Sequence, residues 1–189
     1  VEAVFGTFSS RLTFPVASIL DRYGFVHMVP AGGALRIYTQ GYDGLYYLQP
    51  NAAEYVGSSL RDLLRDRVDP AAMPATAAVV WADDFFANAV AAGLLGQQVT
   101  DPADGSLVAD LAPGYLSEAG LEVVMEERWP EEGFSDWLNL ANSIRNSGAE
   151  LVVGLTASAE EATQLTRALQ TVRAEPSMIY LSQGTQAEY

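Results

Sequence analysis

Apolar positions along the chain fall into two alternating patterns. Short continuous apolar runs read as buried strands, and stretches with apolar residues every three or four positions read as helices. Residues 1–5 form the first run and residues 11–23 the first helical stretch, with Leu12, Val16, Ile19 and Leu20 on one face. Tyr23-Gly24 ends that helix, residues 25–29 form the next strand, and Pro30-Ala31-Gly32-Gly33 is a turn at its carboxyl end. Residues 45–48 read as a strand. Asn51 caps a helix to about residue 67, with Tyr55, Leu60, Leu63 and Leu64 facing inward. A proline-marked connector, residues 68–74, comes next. Strands follow at 77–81, 121–126, 151–155 and 178–181, and helices at 85–95, 134–146 and 158–173. Residues 116–119 end a further helix. Residues 96–113 are polar and carry Asp-Pro, Asp-Gly and Pro-Gly pairs, which reads as a surface loop or a partly helical insertion.

Such alternation predicts an α/β fold of two Rossmann-like lobes, parallel sheets with helices on both faces. The connector places residues 1–76 in one lobe and 77–189 in the other, with an insertion at about 96–115, each lobe an incomplete α/β unit.

Charge narrows the partners. The net charge is −14, and every basic side chain is arginine. Residues 1–76 carry seven acids and six arginines, and residues 77–189 carry seventeen acids and four arginines. Such a surface does not neutralise phosphates, so a nucleic-acid partner is excluded, as is charge-driven attachment to an anionic membrane. Without cysteine there is no disulfide, thiolate nucleophile or zinc–sulfur site. The chain has no initiator methionine and no signal-like segment, and reads as lacking its natural start.

Ligands of open parallel sheets sit at the carboxyl ends of the strands. Small polar residues collect there: Ser9 and Ser10, Gly32 and Gly33, Asp83 to Phe86, Thr156 to Ser158, and Ser182 to Gly184. Ser9 and Ser10 open a helix, where unpaired N–H groups and the helix dipole favour an anion, although serine at that place also serves as an N-cap. Asp83 and Asp84 at a strand end read equally as caps. The single histidine, His27, lies inside a strand and reads as packed. No Ser-His-Asp set, GxGxxG or GxxxxGK[ST] loop is present. The three tryptophans, Trp81, Trp129 and Trp137, are expected at lobe surfaces.

An ordered series of segments resembles one family. Gly6-Thr7-Phe8-Ser9-Ser10 with Phe14-Pro15-Val16-Ala17 is similar to its paired-serine turn and helix. Tyr23-Gly24-Phe25-Val26-His27-Met28-Val29-Pro30-Ala31-Gly32 resembles the next strand and loop, and Ala78-Val79-Val80-Trp81-Ala82-Asp83-Asp84-Phe85-Phe86-Ala87 the strand that opens the second lobe. Ala119-Gly120-Leu121-Glu122-Val123-Val124, Phe134-Ser135-Asp136-Trp137-Leu138 and Ala149-Glu150-Leu151-Val152-Val153-Gly154 continue it. The family is the type I periplasmic solute-binding proteins of ABC importers, in its branched-chain amino acid and amide branch. The resemblance implies two lobes closing on a small solute, an amino acid or similar carboxylate or amide, with ABC permease subunits as partners. It implies no chemistry, no cofactor and no metal, and a periplasmic or extracellular place, with a lipoprotein anchor as an option.

The resemblance also assigns residues. Ser10, with Ser9 beside it, would hold the ligand carboxylate. Gly32 and Gly33 would offer backbone contacts where many members carry Ser or Thr. The aromatic of the second lobe is Phe85 or Phe86. Thr156 and Ala157 form the next ligand loop. Gln183 stands near the family's acidic partner of the ligand ammonium, and a neutral amide there leaves open whether the ligand carries one. The family is roughly twice as long, so this chain looks like an interior fragment. A sensor domain on the same scaffold and a small carboxylate-using α/β enzyme are the competing readings.

Overall fold

The computed structural model describes residues 2–101 and 103–184. Element order alternates as the periodicity predicts. The first part runs β1 (Ala3–Phe5), α1 (Ser10–Arg22), β2 (Val26–Val29), α2 (Leu35–Tyr38) and β3 (Leu45–Tyr47). Helix α3 (Ala52–Arg67) and a 3-10 turn at Pro70–Ala72 lead to β4 (Thr76–Ala82) and α4 (Phe85–Leu95). Then come β5 (Gln98–Thr100), β6 (Leu107–Asp110), α5 (Tyr115–Glu118), β7 (Glu122–Trp129), α6 (Trp137–Ser147), β8 (Leu151–Leu155), α7 (Ala159–Thr171) and β9 (Met178–Leu181).

Two parallel sheets result. The first has the order β1-β2-β3 and the second β7-β4-β8-β9. Alternation along β4 explains the layering of the second sheet, because successive side chains point to opposite faces. Ala77, Val79 and Trp81 pack with Val56, Leu60 and Leu64 of α3 and Val90 and Leu94 of α4. Ala78, Val80 and Ala82 pack with Leu140 and Ile144 of α6 and Leu165 and Leu169 of α7. A strand covered on both faces has no room for polar residues, which is why β4 and β8 read as unbroken apolar runs.

Helix α3 follows the first sheet in the chain yet packs on the second. Its closest approach is at Gly93 of α4, where an added Cβ would stand 2.1 Å from the carbonyl oxygen of Ala53. Only a residue without a side chain allows that contact. The connector at 68–74 joins α3 to β4, two elements whose apolar residues share one core.

The first sheet is covered on one face. Ser10, Thr13 and Ala17 are the buried residues of α1. Of the apolar stripe marked by its spacing, Leu12 is 57% and Ile19 55% exposed, while Val16 and Leu20 are half-buried. Phe5, Val26 and Tyr46 are likewise exposed, on the face of the sheet away from His27. The physical reason is close approach, since α1 presents its small side chains to the turn after β2. On α3, Tyr55 and Leu63 are exposed while Leu60 and Leu64 are buried, so only half of the assigned inward face is covered.

The polar segment at 96–113 holds an antiparallel hairpin, β5–β6, rather than a helix. Asp101 and Asp104 build its turn by accepting backbone N–H bonds from Ala103 and Ser106, and Gly105 takes a left-handed φ of 73°. Among the described residues no helix is long and apolar enough to cross a membrane.

Gly93→Ala is expected to force α3 and α4 apart and lower stability by about 1–3 kcal/mol, as overpacking does. Chemical denaturation of the full-length protein with and without the substitution measures it.

Candidate functional site

The turn after β1 is shaped by its own hydrogen bonds. Ser9 occupies the N-cap position of α1 with φ 78°, but its side chain makes no capping bond. Its carbonyl instead accepts from the Thr13 amide and the Thr13 hydroxyl. No acidic residue stands in the first turn of α1. The first N–H groups of this 13-residue helix are therefore not satisfied by a cap of their own. Three other helices are closed. Asn51 caps α3, Asp84 caps α4 through the Phe86 and Ala87 amides, and Ser158 caps α7.

Ser10 is buried, and its hydroxyl accepts a hydrogen bond from the Ala34 amide at 3.1 Å. That bond joins the start of α1 to the start of α2. Gly32 and Gly33 lie beside it. A Cβ on Gly32 would meet the Thr13 hydroxyl at 2.3 Å, and one on Gly33 the Tyr47 hydroxyl at 2.5 Å. The hydroxyl-bearing residue that the resemblance places here has no space. The Gly33 carbonyl accepts from the Ala52 amide, and the Gly32 carbonyl from the Tyr38 hydroxyl at 2.6 Å. Tyr38 stacks on Tyr47 with ring centroids 4.9 Å apart. Burial pushes the Tyr38 hydroxyl well above the usual tyrosine range, with Tyr47 adding to it. Burial also raises Tyr47, opposed in part by a hydrogen bond with the Gly32 backbone.

The residues singled out by sequence form two groups. Ser9, Ser10, Gly32 and Gly33 make the first. Thr156 and Ala157 make the second, at the end of β8. Thr156 is buried, with its hydroxyl left without a partner, and its carbonyl accepts from the Ser182 hydroxyl. The exposed Ala157 donates its amide to Glu161, whose other oxygen accepts from the Trp129 indole. Glu161 thus occupies the α7 terminus that a ligand anion would need. Gln183 lies in the turn after β9, half-buried.

Contacts between the groups come from their neighbours. Phe85 meets Phe14 of α1 edge-on at 5.6 Å. Arg11 pairs with Glu131, beyond β7, at 2.6 Å. Phe86 is half-buried against the core. Trp129 is a core residue, packed with Phe134 and Trp137, and does not lie at a surface. His27 is buried, with Nε2 against the Gly6 carbonyl.

Sequence reasoning missed a cleft of about 360 Å³ lined by Ala34, Arg36, Trp81, Phe85, Asn88 and Arg128, together with β5. It lies between the start of α2 and the outer face of α4. Of the residues singled out, only Phe85 lines it. The α4 spacing of Phe85, Asn88, Ala89 and Ala92 was the available signal, for these share one helix face with small residues in its centre. Among the described residues no cluster of three or more histidine, aspartate or glutamate side chains is placed to hold a metal.

Comparison with solved structures places this architecture. A leucine-, isoleucine-, valine-, threonine- and alanine-binding protein from Brucella ovis, in a closed conformation, superposes with a TM-score of 0.73 at 11% identity, over 94% of this chain and 42% of that one. An ABC transporter substrate-binding protein from Desulfitobacterium hafniense gives 0.63 at 19% identity, over 95% and 46%. A solute-binding protein from R. palustris, solved with 4-hydroxybenzoate, gives 0.66 at 12% identity, over 96% and 43%. The chain has the fold of the type I periplasmic solute-binding proteins. It spans somewhat less than half the length of these neighbours. No protein-family model matches the sequence, and no curated protein does. The likeness therefore rests on architecture, and the periplasmic-binding fold explains why both sheets are parallel and why their helices pack as layers.

The tyrosine clamp on Gly32 gives a pH dependence. The unfolded chain releases a tyrosine proton near pH 10. The folded protein holds the Tyr38 proton to higher pH, so stability is intact below about pH 10 and falls as pH rises further. Tyr38→Phe should flatten that alkaline decline and cost about 1 kcal/mol at neutral pH through the unpaired Gly32 carbonyl. Thermal melts of both proteins from pH 7 to 11 check it.

Proposed function

We propose that this chain is part of a solute-binding protein of an ABC importer. It captures a small carboxylate or amide between two lobes and does not convert it. The observation that carries the reading is the N-terminus of α1, at the carboxyl edge of the first sheet. Its amides lack a side-chain cap, Ser9 stands at its entrance, and α1 meets α4 through the Phe14–Phe85 contact and the loop after β7 through the Arg11–Glu131 pair. Helix N-termini hold anions through such amides and their dipole. The architecture of the neighbours supports the same role, and their names as transporter components support permease partners and a periplasmic place.

In this proposal Ser9 and Ser10 shape the anion site. Gly32 and Gly33 supply backbone, Phe85 or Phe86 supplies an apolar wall, and Thr156, Ala157 and Gln183 form the opposite rim. Ser10 acts chiefly through the turn, since its hydroxyl already accepts from Ala34. The crossing between lobes falls at residues 48–51. The 16-residue α3 then belongs with the second lobe, where its apolar side packs.

Ser9→Ala is the discriminating substitution, because Ser9 makes no capping bond to lose. Its stability should stay within about 0.5 kcal/mol of the unsubstituted protein. Affinity for the solute carried through purification should fall about tenfold or more, as for a lost hydrogen bond to a charged group. Calorimetric titration of the full-length protein measures it, and unchanged affinity removes the turn from the site.

A further inference from the structure

The cleft beside α2 has the features of a second ligand site. Its volume of about 360 Å³ lies within the range of small-molecule pockets. Its floor is the α4 face of Phe85, Asn88, Ala89 and Ala92, and Trp81 forms a wall. The Trp81 indole donates to Asn88 at 2.9 Å, and Asn88 in turn donates to Asp83 at 2.8 Å, which fixes the ring. Arg36 stands at one end. Its guanidinium carbon sits 4.9 Å from the centre of the Phe14 ring, so the group is oriented by stacking. One guanidinium nitrogen lies 3.4 Å from Asp101, while the buried Nε–H has no acceptor. A buried charged donor without an acceptor is costly.

The surrounding charges define what fits. Asp83 is already held by Asn88 and Arg128, and Asp101 by Arg36 and the Ala103 amide. Glu126 and Asp110 stand behind Gln97 and Gln98, which donate to them. A polyanion would be repelled by these carboxylates. A single carboxylate would complete the open edge of Arg36, since the guanidinium fork matches it. We propose that this cleft binds a small monocarboxylate with a flat apolar body, its carboxylate on Arg36 and its body between Trp81 and Phe85. The cleft adjoins the Ser9–Ser10 turn, with Phe85 common to both and Ala34 bonded to the Ser10 hydroxyl, but its carboxylate anchor is Arg36 and not the start of α1.

The test is calorimetric titration of the full-length protein with benzoate and with its uncharged counterpart benzamide. Arg36→Gln and Ser9→Ala are run beside the unsubstituted protein. Benzoate should bind saturably, benzamide at least about tenfold more weakly, and Arg36→Gln should lose benzoate by a similar factor. If Arg36→Gln fails to fold, the indole N–H resonance of Trp81 in the unsubstituted protein replaces it. That resonance should shift with benzoate, and with benzamide only at concentrations about tenfold or more higher. Absence of saturable benzoate binding overturns the proposal, as does equal affinity for the two probes or an unmoved indole resonance. A loss that appears in Ser9→Ala and not in Arg36→Gln places the probe at the turn and also overturns it.

Discussion

Burial of β4 on both faces is the constraint on which the rest of the structure depends. One face receives α3 and α4 and the other α6 and α7, so a single seven-residue strand organises both hydrophobic cores. Because α3 belongs to the layer on β4, the chain must leave the first sheet just before Asn51. That exit brings the turn after β2 against the start of α3, where the Gly33 carbonyl accepts from the Ala52 amide. The glycine turn is thus held from the α3 side as well as by Ser10 and Tyr38.

The same constraint sorts the strand-end loops by what they still offer. Two of the helices that begin over the second sheet are closed by their own side chains: α4 by Asp84, and α7 by Ser158 with Glu161. These termini have little left for a ligand. Helix α1 begins differently. Ser9 is in a left-handed conformation and its carbonyl is taken by Thr13, so the side chain does not fold back onto the helix. The difference lies in the local path of the chain, since serine stands at both α1 and α7.

Much of this was legible in the residues. Continuous apolar runs located β4, β8 and β9 to within a residue, and the helices expected at 134–146 and 158–173 are α6 and α7, which cover one face. Asp84 was legible as a cap. On α1 periodicity located the helix but left its buried side open, because it carries both a small face and an apolar stripe. Thr13 and Ala17 went inward, since the backbone of the Gly32 turn leaves space only for small side chains. The hairpin at 98–110 was missed because its strands are short and polar at their ends. Arg36 was missed because its importance is spatial. Phe14, Asp101 and Trp81 are far apart in the chain and meet around it only in the fold.

Release of the solute unchanged is the central claim, and mass spectrometry of the full-length protein tests it most directly. A small molecule extracted from purified protein, then returned to it and incubated, should be recovered as the same compound at about one equivalent per chain. Recovery of a chemically altered product, or a protein that neither carries nor rebinds any compound, would contradict the account.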